Sequence, residues 1–211
     1  MNRKQYLTPA AYGEALLVEK KSRFIARVWP CATEKEAMEH IAKMREQYWD
    51  ATHNVSAFIV CDGRVERCSD DGEPQGTSGL PTLSVFRNEE LVNVCCVVTR
   101  YFGGTLLGAG GLVRAYSRAA KMALDEAGID CMRQWNLLLL ECPYPLFERV
   151  RNLIGSCGGS VTENEFGAEV LIQALVPVEE TGKFELQLSE LSSGSMEAVL
   201  MDTIYKGVRI R

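Results

Sequence analysis

The 211-residue sequence contains no run approaching the ~20 apolar residues of a membrane-spanning helix, and its start has no apolar run of signal-peptide length. Histidine is scarce, with only His40 and His53, and none of the eight cysteines forms a Cys-x-x-Cys pair, so the usual zinc-ligand spacings are missing. These absences argue against membrane, exported and zinc-dependent classes of protein. We therefore expect a cytoplasmic chain with reduced thiols, no membrane partner, and neither a metal nor a cofactor.

An excess of basic residues is also lacking, because 23 Lys and Arg face 28 Asp and Glu and give a formal net charge of −5. The chain as a whole is therefore weakly repelled by phosphate backbones, and any contact with nucleic acid has to be local. The hydrophobic fraction of 46% is that of an ordinary globular chain. The length allows one large domain or two small ones.

Hydrophobic spacing and turn residues predict alternating strands and helices in the first part of the chain. Residues 14–28 form two β-type runs around a basic turn, which predicts a hairpin. Thr33 followed by Glu36 is a capping-box pattern at the start of an amphipathic helix. Asp62-Gly63 between two strand-like runs is the strongest short hairpin signal in the chain.

A long polar loop, a buried strand and a second helix follow. Residues 69–83 are dominated by Asp, Gly, Pro, Ser and Thr, which predicts an extended loop. Residues 91–99 are continuously apolar, as in a strand buried on both faces. Residues 112–127 have helical spacing and end at Gly128.

The pattern then restarts as strand, helix, strand, strand, helix, strand, with the segments 134–142, 145–156, 160–165, 169–176, 179–191 and 198–209. This βαββαβ order is the signature of a ferredoxin-like sandwich. We therefore predict an α+β fold with two domains, residues 1–130 and 131–211, each with elements enough to bury a core.

The polar loop holds the first candidate site. Asp70, Asp71 and Glu73 lie within four positions, and His53 precedes a strand that can approach them. Carboxylate oxygens can hold a hard cation, and histidine is the usual proton carrier near neutral pH, so a metal-assisted hydrolase is one hypothesis. The alternative is a solvated turn shaped by Gly72, Gly76 and Thr77, because no nucleophile motif accompanies the acids.

The second candidate site is the glycine-rich segment between the buried strand and the second helix. Arg100 precedes it, and the glycines lead into a helix start where free amides and the helix dipole favour an anion. Its spacing fits neither a Walker loop nor a dinucleotide fingerprint. The residues predicted to face a phosphate or a partner are Arg100, Gly103, Gly104, Gly110, Gly111, Arg114 and Arg118, together with Lys21 and Arg23 from the basic turn.

A purely architectural alternative covers both segments. The glycines then only permit tight turns, and Arg100 or Arg114 pairs internally with Asp70, Asp71 or Glu73, because buried charges require partners.

Four strings in this sequence closely resemble the IMPACT family, in particular its bacterial YigZ-type branch. They are residues 21–24 (KSRF), His53-Asn54, residues 69–81 (SDDGEPQGTSGLP) and residues 97–119 (VVTRYFGGTLLGAGGLVRAYSRA). The resemblance implies a first domain similar to the second domain of ribosomal small-subunit protein five, and a second domain similar to the last domain of elongation factor G.

The resemblance also implies a function in translation. Eukaryotic members restrain an amino-acid-starvation kinase by competing for its ribosome-associated activator, through a chain that carries a further partner-binding domain. No established reaction accompanies the bacterial branch. The resemblance therefore favours a non-enzymatic regulatory or binding protein whose partner is the ribosome, RNA or a translation-associated protein.

Overall fold

The structure, a computed structural model, describes residues 5–211. The ten strands of this range are β1 (Gln5–Pro9), β2 (Gly13–Glu19), β3 (Ser22–Pro30), β4 (His53–Val60), β5 (Val65–Ser69), β6 (Val94–Tyr101), β7 (Ile129–Cys142), β8 (Ser160–Phe166), β9 (Val170–Pro177) and β10 (Val199–Arg209). Its five α-helices are α1 (Glu34–Gln47), α2 (Gly79–Asn88), α3 (Ala109–Ala127), α4 (Phe147–Ser156) and α5 (Thr181–Ser192).

The chain divides into two compact units. Of the described residues, the N-terminal unit comprises 6–131 and 207–211, and the C-terminal unit comprises Gln5 and 132–206. Both units combine a sheet with helices, so the mixed α and β class predicted from the sequence is confirmed.

The N-terminal unit is built on an antiparallel sheet in the order β2-β3-β6-β4-β5. One core packs this sheet against α2 and α3 around Phe24, Phe86 and Tyr116, and another packs its opposite face against α1 around Ile41 and Phe58. Apart from its last residue, every residue of β6 is buried, as expected for a continuous apolar run with helices on both sides.

Local sequence signals account for the turns and the helix start of this unit. Lys20 and Lys21 join β2 to β3 and both have positive φ, the backbone geometry that suits a two-residue hairpin. The capping box at α1 is present, because the Thr33 side chain accepts from the amide of Glu36 and the Glu36 carboxylate accepts from the amide of Thr33. The predicted Asp62-Gly63 hairpin is also confirmed, between β4 and β5.

One prediction for this unit is wrong. Residues 69–83 were expected to be a loop throughout, whereas the chain is helical from Gly79 to Asn88. Residues 76–81 contain glycine and proline, which disfavour a helix, so the sequence did not predict this one. Pro81 lies in its first turn, where a missing amide hydrogen costs nothing, and a carboxylate from outside the helix binds its first amides.

The C-terminal unit has the predicted βαββαβ order, β7-α4-β8-β9-α5-β10. Strand β9 lies between β7 and β8, and β10 pairs with the other edge of β7, which is the strand order of a ferredoxin-like sheet. Its core packs α4 and α5 against one face of the sheet, with Ile154, Ile172, Phe184 and Leu188 fully buried.

All eight cysteine thiols are unpaired. Burial raises the pKa of the Cys31 thiol to about 11, with the nearby Glu36 carboxylate adding to the shift, so this thiol stays protonated at neutral pH. Among residues 5–211, no helix is long and apolar enough to cross a bilayer.

Candidate functional site

The acidic loop between β5 and α2 is folded around the carboxylate of Asp70. Its Oδ1 atom accepts from the amides of Ser78 (3.2 Å) and Gly79 (2.8 Å) and from the Ser78 hydroxyl (2.7 Å), and its Oδ2 atom accepts from the amide of Gly76 (2.8 Å). Desolvation alone would raise the pKa of Asp70, but these four hydrogen bonds outweigh it and lower that pKa below 3.8. Asp70 therefore acts as the N-terminal cap of α2.

Asp71 joins the loop to the sheet and to α1. Its carboxylate accepts from Arg45 Nη2 at 2.8 Å and from the backbone amide of Asn54 at 2.6 Å. His53 Nδ1 lies 2.8 Å from the carbonyl oxygen of Asp71, and because a carbonyl can only accept, the proton is on Nδ1. The sequence expectation that His53 approaches the acidic loop is confirmed, and the role of this histidine here is to hold the loop backbone.

Glu73 and Arg100 form the buried centre of the site. Their side chains are only 3% and 6% exposed, and Arg100 Nη1 lies 2.5 Å from Glu73 Oε1. The same carboxylate oxygen accepts from the Tyr116 hydroxyl at 2.7 Å. Burial raises the pKa of Tyr116 well above its ordinary value, and the adjacent Glu73 carboxylate raises it further, so this hydroxyl remains a donor.

Arg100 is further held by aromatic rings and by a neighbouring hydroxyl. Its guanidinium carbon lies 5.2 Å from the ring centre of Phe24 and 5.6 Å from that of Phe102. Arg100 Nη2 donates to the Ser22 hydroxyl at 3.4 Å, and the same oxygen accepts from the amide of Gly103 at 3.1 Å. The structure thus places Arg100 in the interior, and not on the phosphate-facing surface that the sequence suggested, because Arg100 lies on the buried central strand β6 and pairs there with Glu73.

These contacts bear on the metal-assisted hydrolase and on the architectural alternative for the acidic loop. The three carboxylates bind different partners: Asp70 the start of α2, Asp71 the Arg45 side chain, and Glu73 the Arg100 side chain. His53 Nε2 is 3.8 Å from Glu73 Oε2, but no group of three potential ligands converges anywhere within residues 5–211. The geometry therefore gives no support to the metal-assisted hydrolase, and the architectural alternative holds for the pair Arg100–Glu73.

Gly103 has a structural role at the junction of the two motifs. A Cβ atom built on it would lie 2.1 Å from the carbonyl carbon of Lys21 and 2.3 Å from the amide nitrogen of Ser22. Only glycine lets the segment after β6 lie this close to the β2–β3 turn. Gly104 instead lies in open space with φ of +81°, so it serves the turn that follows.

The start of α3 remains accessible. Its N-cap, Gly108, has no side chain to cap the helix, and the first turn contains no acidic residue. Ala109 and Gly110 are exposed, and Gly111 is half-buried. Within the described range, no side chain or loop carbonyl accepts from the first three amides of α3, so these donors are free to bind a ligand.

Basic side chains surround this helix start. Arg114 and Arg118 are exposed on α3 and line a cleft of about 220 Å³ together with Lys20 from the β2–β3 turn and Glu19 at the end of β2. Across residues 5–211 neither arginine has an ion pair. We use the term α3 basic surface for Lys20, Arg114, Arg118 and the first three amides of α3. Lys21, the other residue of the β2–β3 turn, is exposed but does not line this cleft.

Arg23 lies outside the α3 basic surface. Adjacent residues of a strand point to opposite faces, and Phe24 faces the core that α3 covers. Arg23 instead lies over the ring of Tyr101, with 5.6 Å between the guanidinium carbon and the ring centre.

Sequence reasoning missed several members of the site. Tyr116, Arg45 and Ser22 contact the acidic loop or Arg100, and none of them was among the predicted site residues, although Ser22 and Tyr116 lie within the strings that resemble the family. Helical spacing does place Tyr116 on the buried face of α3, and a buried tyrosine hydroxyl requires a partner. That requirement was a signal in the sequence for the contact between Tyr116 and Glu73.

Comparisons with known proteins agree with this architecture. Residues 20–124 match the Impact N-terminal domain, and residues 140–195 match a domain described as "Domain of unknown function (DUF1949)". A crystal structure described as that of a hypothetical protein superposes with a TM-score of 0.59 at 30% identity, covering 94% of this chain and 98% of its own. The molecule is therefore of the two-domain class with an Impact-type N-terminal half.

Relatives of similar length specify the family. The chain is 35% identical to the IMPACT family member YvyE of Bacillus subtilis, covering 91% of this chain and 89% of that protein. It is 30% identical to the IMPACT family member YigZ of Escherichia coli, covering 93% and 98% respectively. The mouse Protein IMPACT is 34% identical over 108 residues, which are 33% of its own length. The chain belongs to the IMPACT family.

Proposed function

We propose that this protein is a translation-associated binding protein that docks in the cytoplasm on the phosphate backbone of ribosomal RNA through the α3 basic surface. The observation that carries the proposal is the exposed, uncapped start of α3 flanked by two arginines without ion pairs. Membership of the IMPACT family supports the connection with translation, because its eukaryotic members act there as regulators.

The physical argument rests on complementarity with a phosphate group. Amide hydrogens at a helix start carry a partial positive charge and can donate to phosphate oxygens without any side-chain rearrangement. Guanidinium groups add paired hydrogen bonds to the same oxygens. Arg114 and Arg118 are one turn apart on α3, so both can approach a backbone that passes over the helix start.

The buried pair Arg100–Glu73 helps to fix the position of the helix that carries this surface. Arg100 lies at the end of β6, immediately before the segment that leads into α3, and Tyr116 of α3 donates to the same carboxylate. Glu73 thus connects the acidic loop, β6 and α3. We propose that the acidic loop sets the position of α3, and that its motif is architectural.

Ribosome co-sedimentation across a salt series tests the proposal. If the three side chains of the α3 basic surface contact phosphates, affinity should fall by roughly 20- to 40-fold between 50 and 200 mM salt, because each contact releases counterions. Failure to pellet with ribosomes at 50 mM salt, or binding that does not change across the series, would contradict RNA docking.

A further inference from the structure

The C-terminal unit contains a groove of about 530 Å³ that lies between strands β7 and β9 and residues 194–199. Leu138, Leu140 and Ile172 point to the helices, so their strand neighbours Leu139 and Leu171 point to the other face. These two leucines and Val199 give the groove an apolar floor, and Glu141, Glu169 and Glu197 give it an acidic rim. We call this feature the acidic groove.

The glutamates of the acidic groove have no internal counterions. All three are exposed, and none takes part in an ion pair within the described part of the chain. On the strand beside the groove, Glu165 lies opposite Leu171 and Glu163 lies opposite Gln173, which extends the acidic rim along the same face. Unpaired carboxylates of one sign around an apolar floor leave room for cations from outside.

Charge is unevenly distributed between the two parts of the sequence. Residues 132–206 contain 11 Asp and Glu against 5 Lys and Arg, a net charge of −6, and the remaining residues contain 17 against 18, a net charge of +1. These values sum to the −5 of the whole chain. The C-terminal unit therefore repels phosphate backbones and attracts basic segments.

The geometry points to a basic peptide segment as the occupant of the acidic groove: an Arg- and Lys-rich stretch of a protein partner, held by leucine-type side chains on the apolar floor. The carboxylate rim supplies the contacts for its cations, and Leu139 and Leu171 supply the apolar contact. This inference is independent of RNA docking, since the two surfaces share no residue.

Fluorescence anisotropy with the full chain tests the inference. The probe is a fluorescein-labelled peptide of sequence Gly-Arg-Lys-Leu-Arg-Leu-Lys-Arg-Gly. Replacing the rim by glutamine in the triple variant Glu141→Gln, Glu169→Gln, Glu197→Gln should weaken binding about tenfold, because each exposed charge pair contributes modestly and three are removed. The matched variant Glu46→Gln, Glu126→Gln, Glu190→Gln removes the same charge from exposed positions outside the groove and should change affinity less than about twofold.

Three control ligands complete the test. A peptide with serine for leucine should bind at least several-fold more weakly than the probe, and a peptide with glutamate for arginine and lysine should not bind. Spermine should displace the probe poorly. Equal weakening by the two triple variants would overturn the inference, because it would show attraction to net charge alone. Displacement of the probe by spermine as readily as by unlabelled peptide would overturn it as well.

Discussion

Replacing Glu73 by alanine is expected to lower the free energy of unfolding by about 3–5 kcal/mol, the largest effect of any single change considered for this protein. The substitution leaves the Arg100 guanidinium buried without its counterion, and it removes the acceptor of the Tyr116 hydroxyl. An unpaired buried charge costs far more than the net gain from the pair it belonged to. Urea denaturation followed by circular dichroism measures the change.

Two further variants make this prediction specific. Adding Arg100→Met to Glu73→Ala removes the stranded charge, and it should restore roughly half of the lost stability. Glu66→Ala breaks the exposed pair with Arg87, where side-chain exposure is 33% and 48%, and should cost less than about 1 kcal/mol. A loss below about 1 kcal/mol for Glu73→Ala would contradict the buried-pair interpretation.

Replacing Asp70 by alanine is expected to cost about 2–3 kcal/mol, because four donors at the start of α2 lose a charged acceptor together. Asp50→Ala is the matched control, since the Asp50 carboxylate accepts one surface hydrogen bond from the Tyr101 hydroxyl. That control should cost less than about 1 kcal/mol. Equal losses in the two variants would show that Asp70 is not a cap.

The contribution of Asp70 should also depend on pH in a defined direction. Its pKa in the folded chain lies below the ordinary 3.8, because the hydrogen bonds from Gly76, Gly79 and Ser78 outweigh the effect of burial. A carboxylate with a lowered folded pKa stabilises the fold fully above its unfolded pKa, and that contribution is lost as the pH falls through the folded pKa. The stability difference between the parent chain and Asp70→Ala should therefore be constant from pH 7 to about 5 and shrink below pH 3.8. A difference that grows on acidification would have the wrong sign.

Elements with a complete local signal were predictable from the sequence. The capping box at Thr33, the hairpin at Asp62-Gly63 and the helix end at Gly128 each depend on residues within a few positions of one another. The βαββαβ order of the C-terminal unit followed from hydrophobic spacing, because each of its elements buries one face against the same core.

Elements whose stability comes from distant residues were not predictable in this way. The carboxylate of Asp70, nine residues before Gly79, binds the first amides of helix α2. Local helix propensity does not predict that contact. Strand β1 depends on partners far along the chain, since Leu7 bridges Leu91 and accepts from the amide of Val92. Both cases are tertiary contacts that override local sequence preference.

The sequence indicated which charged residues belong to the candidate site, but not which of them pair with one another. The sequence offered Arg100 and Arg114 as cations and Asp70, Asp71 and Glu73 as acids, and only the fold selects Arg100 with Glu73. This choice follows from burial, because Arg100 lies on the central strand β6 and Arg114 lies on the exposed side of α3. The same selection leaves Arg114 and Arg118 available for a ligand.

We therefore assign two different roles to charged residues that the sequence alone does not distinguish. Charges inside the N-terminal unit hold α3 against the sheet, and charges on its surface are proposed to meet RNA. Variants of Arg114 and Arg118 should leave stability nearly unchanged, because surface charges without partners contribute little to folding. Variants of Arg100 should lower stability, because they leave the Glu73 carboxylate buried without its partner.

The most direct measurement is the salt dependence of ribosome binding by Arg114→Gln, Arg118→Gln compared with Arg149→Gln, Arg151→Gln. Both double variants remove two exposed arginines, the first pair from α3 and the second from α4. If each α3 arginine neutralises one phosphate, the first variant should reduce the slope of log affinity against log salt by about 1.4–1.8, and the second should leave it unchanged. Equal slopes for the two variants and the parent chain would contradict docking through the α3 basic surface.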